Sequence, residues 1–281
     1  MAEWLPMTSL QPVRSFDWGN LGIRAASAAV LIPAAVAAVY FGGWVLLLFV
    51  SVAVAFLALE WGGMSAPGAP IRIAAAVMVA VLAALFSAYY GHYRIAWVIA
   101  GVGTVVAAIV GRSLSERPAD TAYGVIYIAP AVLALLWLRA MPNGISWTIM
   151  VFAVAWAADI CAFAAGNALK GPKLWPRFSP NKTWSGFFGG LAGAMLAAML
   201  VSIYSEARLS PPSAALVGLA GGLATMAGDL WESMLKRRFG VKDSGDLIPG
   251  HGGLMDRVDG LMFAIVVLAA ARLTQLWGWL S

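Results

Sequence analysis

Nine stretches of about 20 mostly apolar residues divide this 281-residue chain, near 22–42, 43–64, 71–91, 93–114, 122–141, 144–169, 184–204, 212–236 and 258–280. Twenty apolar residues coiled as a helix cross the hydrocarbon layer of a bilayer. Inside that layer every backbone polar group must find a partner within the protein, so spanning segments are helices or closed barrels. The run lengths therefore predict an all-α, polytopic integral membrane protein with about nine transmembrane helices. Composition agrees, since 62% of residues are hydrophobic and 11% charged, against roughly a quarter charged in a soluble domain. The least marked boundary separates the first two stretches, parted only by Gly42 and Gly43. Cys161, the single cysteine, excludes an intrachain disulfide, and with only His92 and His251 beside it a zinc site is not expected.

Charge orients the spans. With nine of them, fourteen Lys and Arg residues fall on one side and four (Arg94, Arg139, Arg208 and Arg272) on the other. The basic side is cytoplasmic by the positive-inside rule, which places the N-terminus inside. The net charge of +5 then reflects loop basicity rather than a nucleic-acid partner. Residues 1–21 hold Glu3, Asp17 and no basic cluster, so they read as an interfacial segment carrying Trp4 and Trp18 rather than a cleaved signal peptide. The chain divides into that segment, N-terminal transmembrane helices over 22–141 and a C-terminal catalytic region over 142–281, expected at the bacterial inner (plasma) membrane with its site toward the cytoplasm.

The acids sit at one depth. Asp159 lies 15 residues into the sixth span, about 22 Å from its outer end at 1.5 Å per residue. Asp229 lies 17 residues into the eighth, about 25 Å down. Glu232 follows Asp229 at i+3 and shares its face with Ser233 and Lys236, and Asp256 and Asp259 form a second i, i+3 pair where the ninth span begins. Ionisable groups at such depth face a cavity or a partner. The simpler reading has Asp159 and Asp229 pair with lysines and merely join helices; the convergence of several acids with several cations favours function. Clustered carboxylates suit Mg²⁺, which uses one or two of them together with substrate phosphates. Glu60, near the cytoplasmic end of the second span and almost alone as an ionisable residue in the first five, reads as a structural interface residue.

Two polar segments, 170–183 and 237–257, fall on the basic side. In Ser179-Pro180-Asn181-Lys182-Thr183-Trp184-Ser185-Gly186, either Ser179 with Pro180 at the first helical position, or Thr183 one step later, caps the seventh span. Such a helix N-terminus with Lys182 nearby is an anion site. In the second segment Gly250, Gly252 and Gly253 let backbone amides approach an anion, while Lys236, Arg237, Lys242 and Arg257 supply charge for a polyphosphate. His251 reads as a general acid, a phosphate donor or a plain loop hydrogen bonder. Arg238 reads as an ordinary basic anchor.

Ser233, Lys236, Arg237, Lys242, Asp243, Pro249, His251, Gly252, Gly253, Asp256, Arg257 and Asp259 together resemble the signature of the phosphatidate cytidylyltransferase family, the CDP-diacylglycerol synthases. The segment with Ser179, Lys182, Thr183 and Gly186 resembles that family's other shared loop, and Asp159 its preceding acid. Phe163 departs from it, standing where many relatives carry tyrosine. The resemblance covers about 155–262 and implies that CTP and phosphatidate are joined to CDP-diacylglycerol and pyrophosphate, with Mg²⁺ and a second ion such as K⁺. Carried over, it makes Asp229 and Asp256 the first metal ligands with help from Asp159, gives catalytic roles to Lys236, Arg257 and His251, and leaves Ser179, Lys182, Thr183, Ser233, Arg237, Lys242, Asp243, Gly252, Gly253 and Asp259 to hold the nucleotide and lipid phosphates. The rivals are a CTP-dependent polyprenol kinase and an ion-coupled transporter. Glycines at i, i+4 in the seventh span (Gly186 and Gly190; Gly189 and Gly193) and the eighth (Gly218 and Gly222) permit close packing within one chain, or a homodimer.

Overall fold

A computed structural model describes residues 18–114, 116–176, 179–246 and 252–280. Among them nine α-helices run in order: α1 (Trp18–Phe41), α2 (Gly43–Ser65), α3 (Pro70–Tyr89), α4 (Tyr93–Ser113), α5 (Pro118–Ala140), α6 (Gly144–Leu169), α7 (Trp184–Tyr204), α8 (Pro211–Arg238) and α9 (Met255–Leu276). Helices α2 to α9 are each long and apolar enough to cross a membrane, and α1 contributes the apolar stretch Ile32–Phe41. The break between α1 and α2 falls at Gly42, whose φ of +61° suits a residue without Cβ. Prolines open α3, α5 and α8, where a missing N–H costs nothing. Most of the interfacial segment expected over 1–21 lies outside the described residues.

One feature was not expected from the sequence: between α6 and α7 the chain forms a small antiparallel hairpin. Strand β1 (Lys173–Trp175) pairs with β2 (Ser179–Thr183), Lys173 opposite Thr183 and Trp175 opposite Ser179. Of the two caps considered for α7, Thr183 is the one used. Its hydroxyl accepts from the Gly186 N–H at 3.2 Å, while Ser179 is a strand residue.

Small residues set the helix spacing around the polar end. Helix α7 lies on α6 with Gly186 against the Ala162 carbonyl, Gly193 against Cys161 and Gly190 against the Ala158 carbonyl, each at a distance that leaves no room for a Cβ. Gly218 and Gly222 of α8 meet Ala194 of α7 in the same way. These stripes are thus used within one chain, and a homodimer would need another surface. Gly228 of α8 and Gly260 of α9 face each other, a Cβ on Gly228 falling 2.9 Å from the Gly260 Cα. The two backbones touch beside Asp229 and Asp259.

Helices α2 and α5 buttress that same end. Trp61 is fully buried, donates through Nε1 to the Asp120 carbonyl at 3.1 Å, and packs on Tyr123, Tyr127 and Phe239 with ring centroids 5.7 Å away. The Asp120 carboxylate is buried and ion-paired to Arg238. Arg238 is therefore more than a basic anchor: it ties the end of α8 to the start of α5. At the opposite end Arg139 closes α1, donating from Nε to the Val39 carbonyl at 2.7 Å and from Nη2 to that of Tyr40 at 3.0 Å.

Candidate active site

The hairpin and the polar ends of α6, α7 and α8 enclose a cavity of about 700 Å³. Asp159 and Asn167 reach it from α6, Lys170 and Lys173 from the stretch after α6, Lys182 from β2 and Asp229 from α8. Lys182 crosses the opening to Asp229, with Nζ 2.6 Å from Oδ2 and both side chains partly exposed. Strand β2 leads directly into the α7 cap, so the lysine is delivered beside a helix N-terminus, where unpaired backbone N–H groups favour an anion. Acids and lysines on opposing walls can therefore take a cation on one side and phosphate oxygens on the other.

A second cluster lies one turn along α8 and is closed. Lys236 Nζ stands 2.7 Å from Glu232 Oε2 and 2.5 Å from Asp256 Oδ1, the three side chains being 14%, 2% and 11% exposed. The other Asp256 oxygen, Oδ2, accepts from the Ser244 N–H (3.0 Å), the Ser244 hydroxyl (2.9 Å) and the Gly253 N–H (3.3 Å). Gly253 can be nothing larger, because a Cβ there would run into the Ser244 hydroxyl and come within 3.1 Å of Asp256. Its neighbour Gly252 holds φ at +81°, in the left-handed region. Glu60 joins from α2, accepting from the Leu254 N–H at 2.6 Å, the Met255 N–H at 2.7 Å and the Ser244 hydroxyl at 3.3 Å.

Asp259 links the two clusters. It accepts from the Gly260 N–H at 2.8 Å, and Gly260 itself packs against the Asp229 carboxylate. Glu232 keeps one oxygen, Oε1, buried without a hydrogen-bond partner.

Of the residues singled out in the sequence, the fold brings Asp159, Lys182 and Asp229 to one cavity. It brings Lys236, Asp256 and Gly253 to the adjoining cluster, with Asp259 between the two. Asp256 does not join Asp159 and Asp229, and among the described residues no three Asp, Glu, His or Cys side chains converge as a ready metal site. Ser233 is half-buried on α8, and Arg237, Lys242, Asp243 and Arg257 are exposed at the same end. Ser179 stands in β2 and Thr183 caps α7. His251, with Pro249 and Gly250, lies outside the described residues. Ser244 and Glu60 were missed as parts of the site. The signal for them was available in α9, which starts after Leu254, a residue without a side-chain acceptor, so that its first amides needed a cap from elsewhere.

The sequence model of the cytidylyltransferase family matches residues 22–274. The chain belongs to that family. Within it, the chain is similar to a phosphatidate cytidylyltransferase of Brucella suis, 46% identical over 160 residues that make up 56% of either chain. It is 33% identical over 272 residues to a protein of the same name from Pseudomonas aeruginosa, covering 91% of this chain and 98% of that one. A Staphylococcus epidermidis phosphatidate cytidylyltransferase matches at 34% identity over 150 residues, 58% of its length. The chain thus spans a little over half the length of the Brucella and Staphylococcus relatives. As in the family model's range, the match to the Pseudomonas protein takes in the N-terminal helices as well as the polar end.

Proposed function

We propose that this cytidylyltransferase-family member is a phosphatidate cytidylyltransferase, forming CDP-diacylglycerol and pyrophosphate from CTP and phosphatidate. The observation that carries the reading is the Lys182–Asp229 pair across an open cavity lined by further lysines and Asp159. Opposed charges in one partly wet space serve the transfer of a charged phosphoryl group, which needs positioning and charge neutralisation more than covalent help. A phosphatidate oxygen attacks the α-phosphorus of CTP. The new O–P bond forms as the bond from that phosphorus to its bridging oxygen breaks, and the electron pair departs with pyrophosphate. The attacking oxygen is already anionic, so no side chain need remove a proton. Lys182, Lys170 and Lys173 hold phosphate oxygens in the cavity, and Arg237, Lys242 and Arg257, exposed at the same end of the bundle, receive the rest of the nucleotide's charge.

The donor chemistry fits Mg²⁺, because Asp159 and Asp229 offer carboxylate oxygens to a space where phosphate completes the shell. Bound by this pair, Mg²⁺ would neutralise the reacting phosphates and steady the leaving pyrophosphate; a second ion such as K⁺ belongs to the same proposal. Asp256 stands in the adjoining cluster, its oxygens on Lys236 and on the Ser244 and Gly253 amides, and supports the site from there.

A lipid substrate is supported by the face of α6. Asp159, Phe163 and Asn167 continue a stripe that begins with Ile145, Ile149, Phe152 and Trp156 at i+3 and i+4 spacing. Those apolar residues and Val36, Val39 and Tyr40 of α1 line a groove of about 180 Å³ with almost no polar surface. It lies along the same helix as the phosphate cavity, where an acyl tail can rest while its phosphate meets Lys170 and Lys173. The fourteen-to-four charge asymmetry supports placing the cavity at the cytoplasmic face of a bacterial inner membrane. The deciding experiment supplies the purified chain with phosphatidate, Mg²⁺ and CTP labelled, in parallel samples, at the α- or the γ-phosphorus. Label in the lipid product is the expected result. Label transferred only from the γ-phosphorus would make the chain a kinase, and no transfer with either substrate would end the proposal.

A further inference from the structure

We infer that Glu60 is a positioning residue of the nucleotide site, acting from the N-terminal helices to hold Ser244 and the first turn of α9, which carries Asp256. The inference rests on the function proposed above. Helix α9 starts with Leu254 in the cap position, which has no side-chain acceptor for the first free amides. Glu60 supplies one from α2, a part of the chain 194 residues away in sequence, its two oxygens receiving the Leu254 and Met255 N–H groups separately. A carboxylate at that place also opposes the positive end of the α9 dipole. The same Oε2 receives the Ser244 hydroxyl, which is shared with Asp256 Oδ2 at 2.9 Å. One buried carboxylate thereby holds Ser244 and the first turn of α9 together.

The anchor itself is rigid. Glu60 is 3% exposed, its neighbour Trp61 is wedged among three aromatic rings, and Trp61 is hydrogen-bonded to α5. Motion of Glu60 would have to move that whole packed layer. The consequence for chemistry runs through Asp256, whose Oδ1 holds Lys236 at 2.5 Å. If the loop shifts, so does the lysine that shares the end of α8 with Arg237.

Substitution by glutamine keeps the size and replaces one acceptor with an NH₂ that faces a backbone N–H. In full-length Glu60→Gln protein the KM for CTP is expected to rise, and kcat to fall, each on the order of tenfold, as befits loss of a charge-assisted hydrogen bond. The KM for phosphatidate stays unchanged. Amide hydrogen exchange over 252–258 becomes faster. Glu60→Asp, one methylene shorter with both acceptors kept, falls between Glu60→Gln and wild type, and it carries the test should the glutamine variant fail to accumulate. A lower apparent kcat with unmoved KM for CTP would assign Glu60 to folding alone and overturn the inference, as would wild-type kinetics. If the wild-type chain makes no CDP-lipid, the proposed function falls instead; the exchange measurement then decides on Glu60, and unchanged protection over 252–258 overturns it.

Discussion

The two charged clusters at the polar end of the bundle are built from the same residue types and behave as opposites. In the cavity, Lys182 and Asp229 meet once, partly exposed, with open space around them. Beside it, Lys236 is clasped by two acids, and Asp256 also holds a hydroxyl and two backbone amides in a nearly closed pocket. An exposed pair contributes little to stability and exchanges partners easily. A buried one is costly to break, because the partner left behind keeps its charge without solvent. The first arrangement is suited to receiving a ligand, the second to keeping a loop in place. Identical chemistry acquires different duties from burial alone.

That contrast can be broken in several places. Asp229→Asn should have the largest effect, lowering turnover about a thousandfold in the labelled-CTP assay, the scale of losing a group that neutralises charge during the reaction. Near-normal turnover in a folded protein would remove Asp229 from the site. Next come the lysines, compared by thermal unfolding in detergent. Lys236→Met strands Glu232 and Asp256 and should cost about 3 kcal/mol, while Lys182→Met costs less than about 1 kcal/mol. Equal losses would show that the clusters are not different in kind. Gly253→Ala forces the Ser244 hydroxyl aside, with an expected loss of stability of about 1–3 kcal/mol for an overpacked site; unchanged unfolding would mean the loop has slack. The smallest effect is expected in the groove. Ile149→Trp should change the relative rates for long- and short-tailed phosphatidates by a few-fold, the scale of one or two methylenes. Identical chain-length profiles would place the tail elsewhere.

Much of this architecture was legible in the sequence because a bilayer imposes length. The boundaries of the helices follow from where apolar runs stop, and the similar depths of Asp159 and Asp229 from counting 1.5 Å per residue. Rotation about each helix axis was not legible. The i, i+3 spacing sets Asp229 and Glu232 one turn apart on α8, yet it does not say that Asp229 turns to Lys182 while Glu232 and Asp256 share Lys236. For that reason spacing alone did not show that Asp256 stands with Lys236, Ser244 and Gly253 while Asp159 and Asp229 line the cavity. The hairpin was hidden because strands of three and five residues show no useful alternation, and the Ser-Pro and Thr-Trp steps read first as helix caps. Glu60 was visible as a buried acid, but its partners are backbone amides, which carry no sequence signature.

The contact between Gly228 and Gly260 bears on how such a site tolerates its surroundings. Where side chains set a spacing, rotamer changes and thermal expansion blur it. Here two peptide backbones rest on one another immediately beside Asp229 and Asp259, and atoms in van der Waals contact yield little to compression. The spacing of those acids is thus set by main-chain contact between α8 and α9 rather than by the rotamers of intervening side chains.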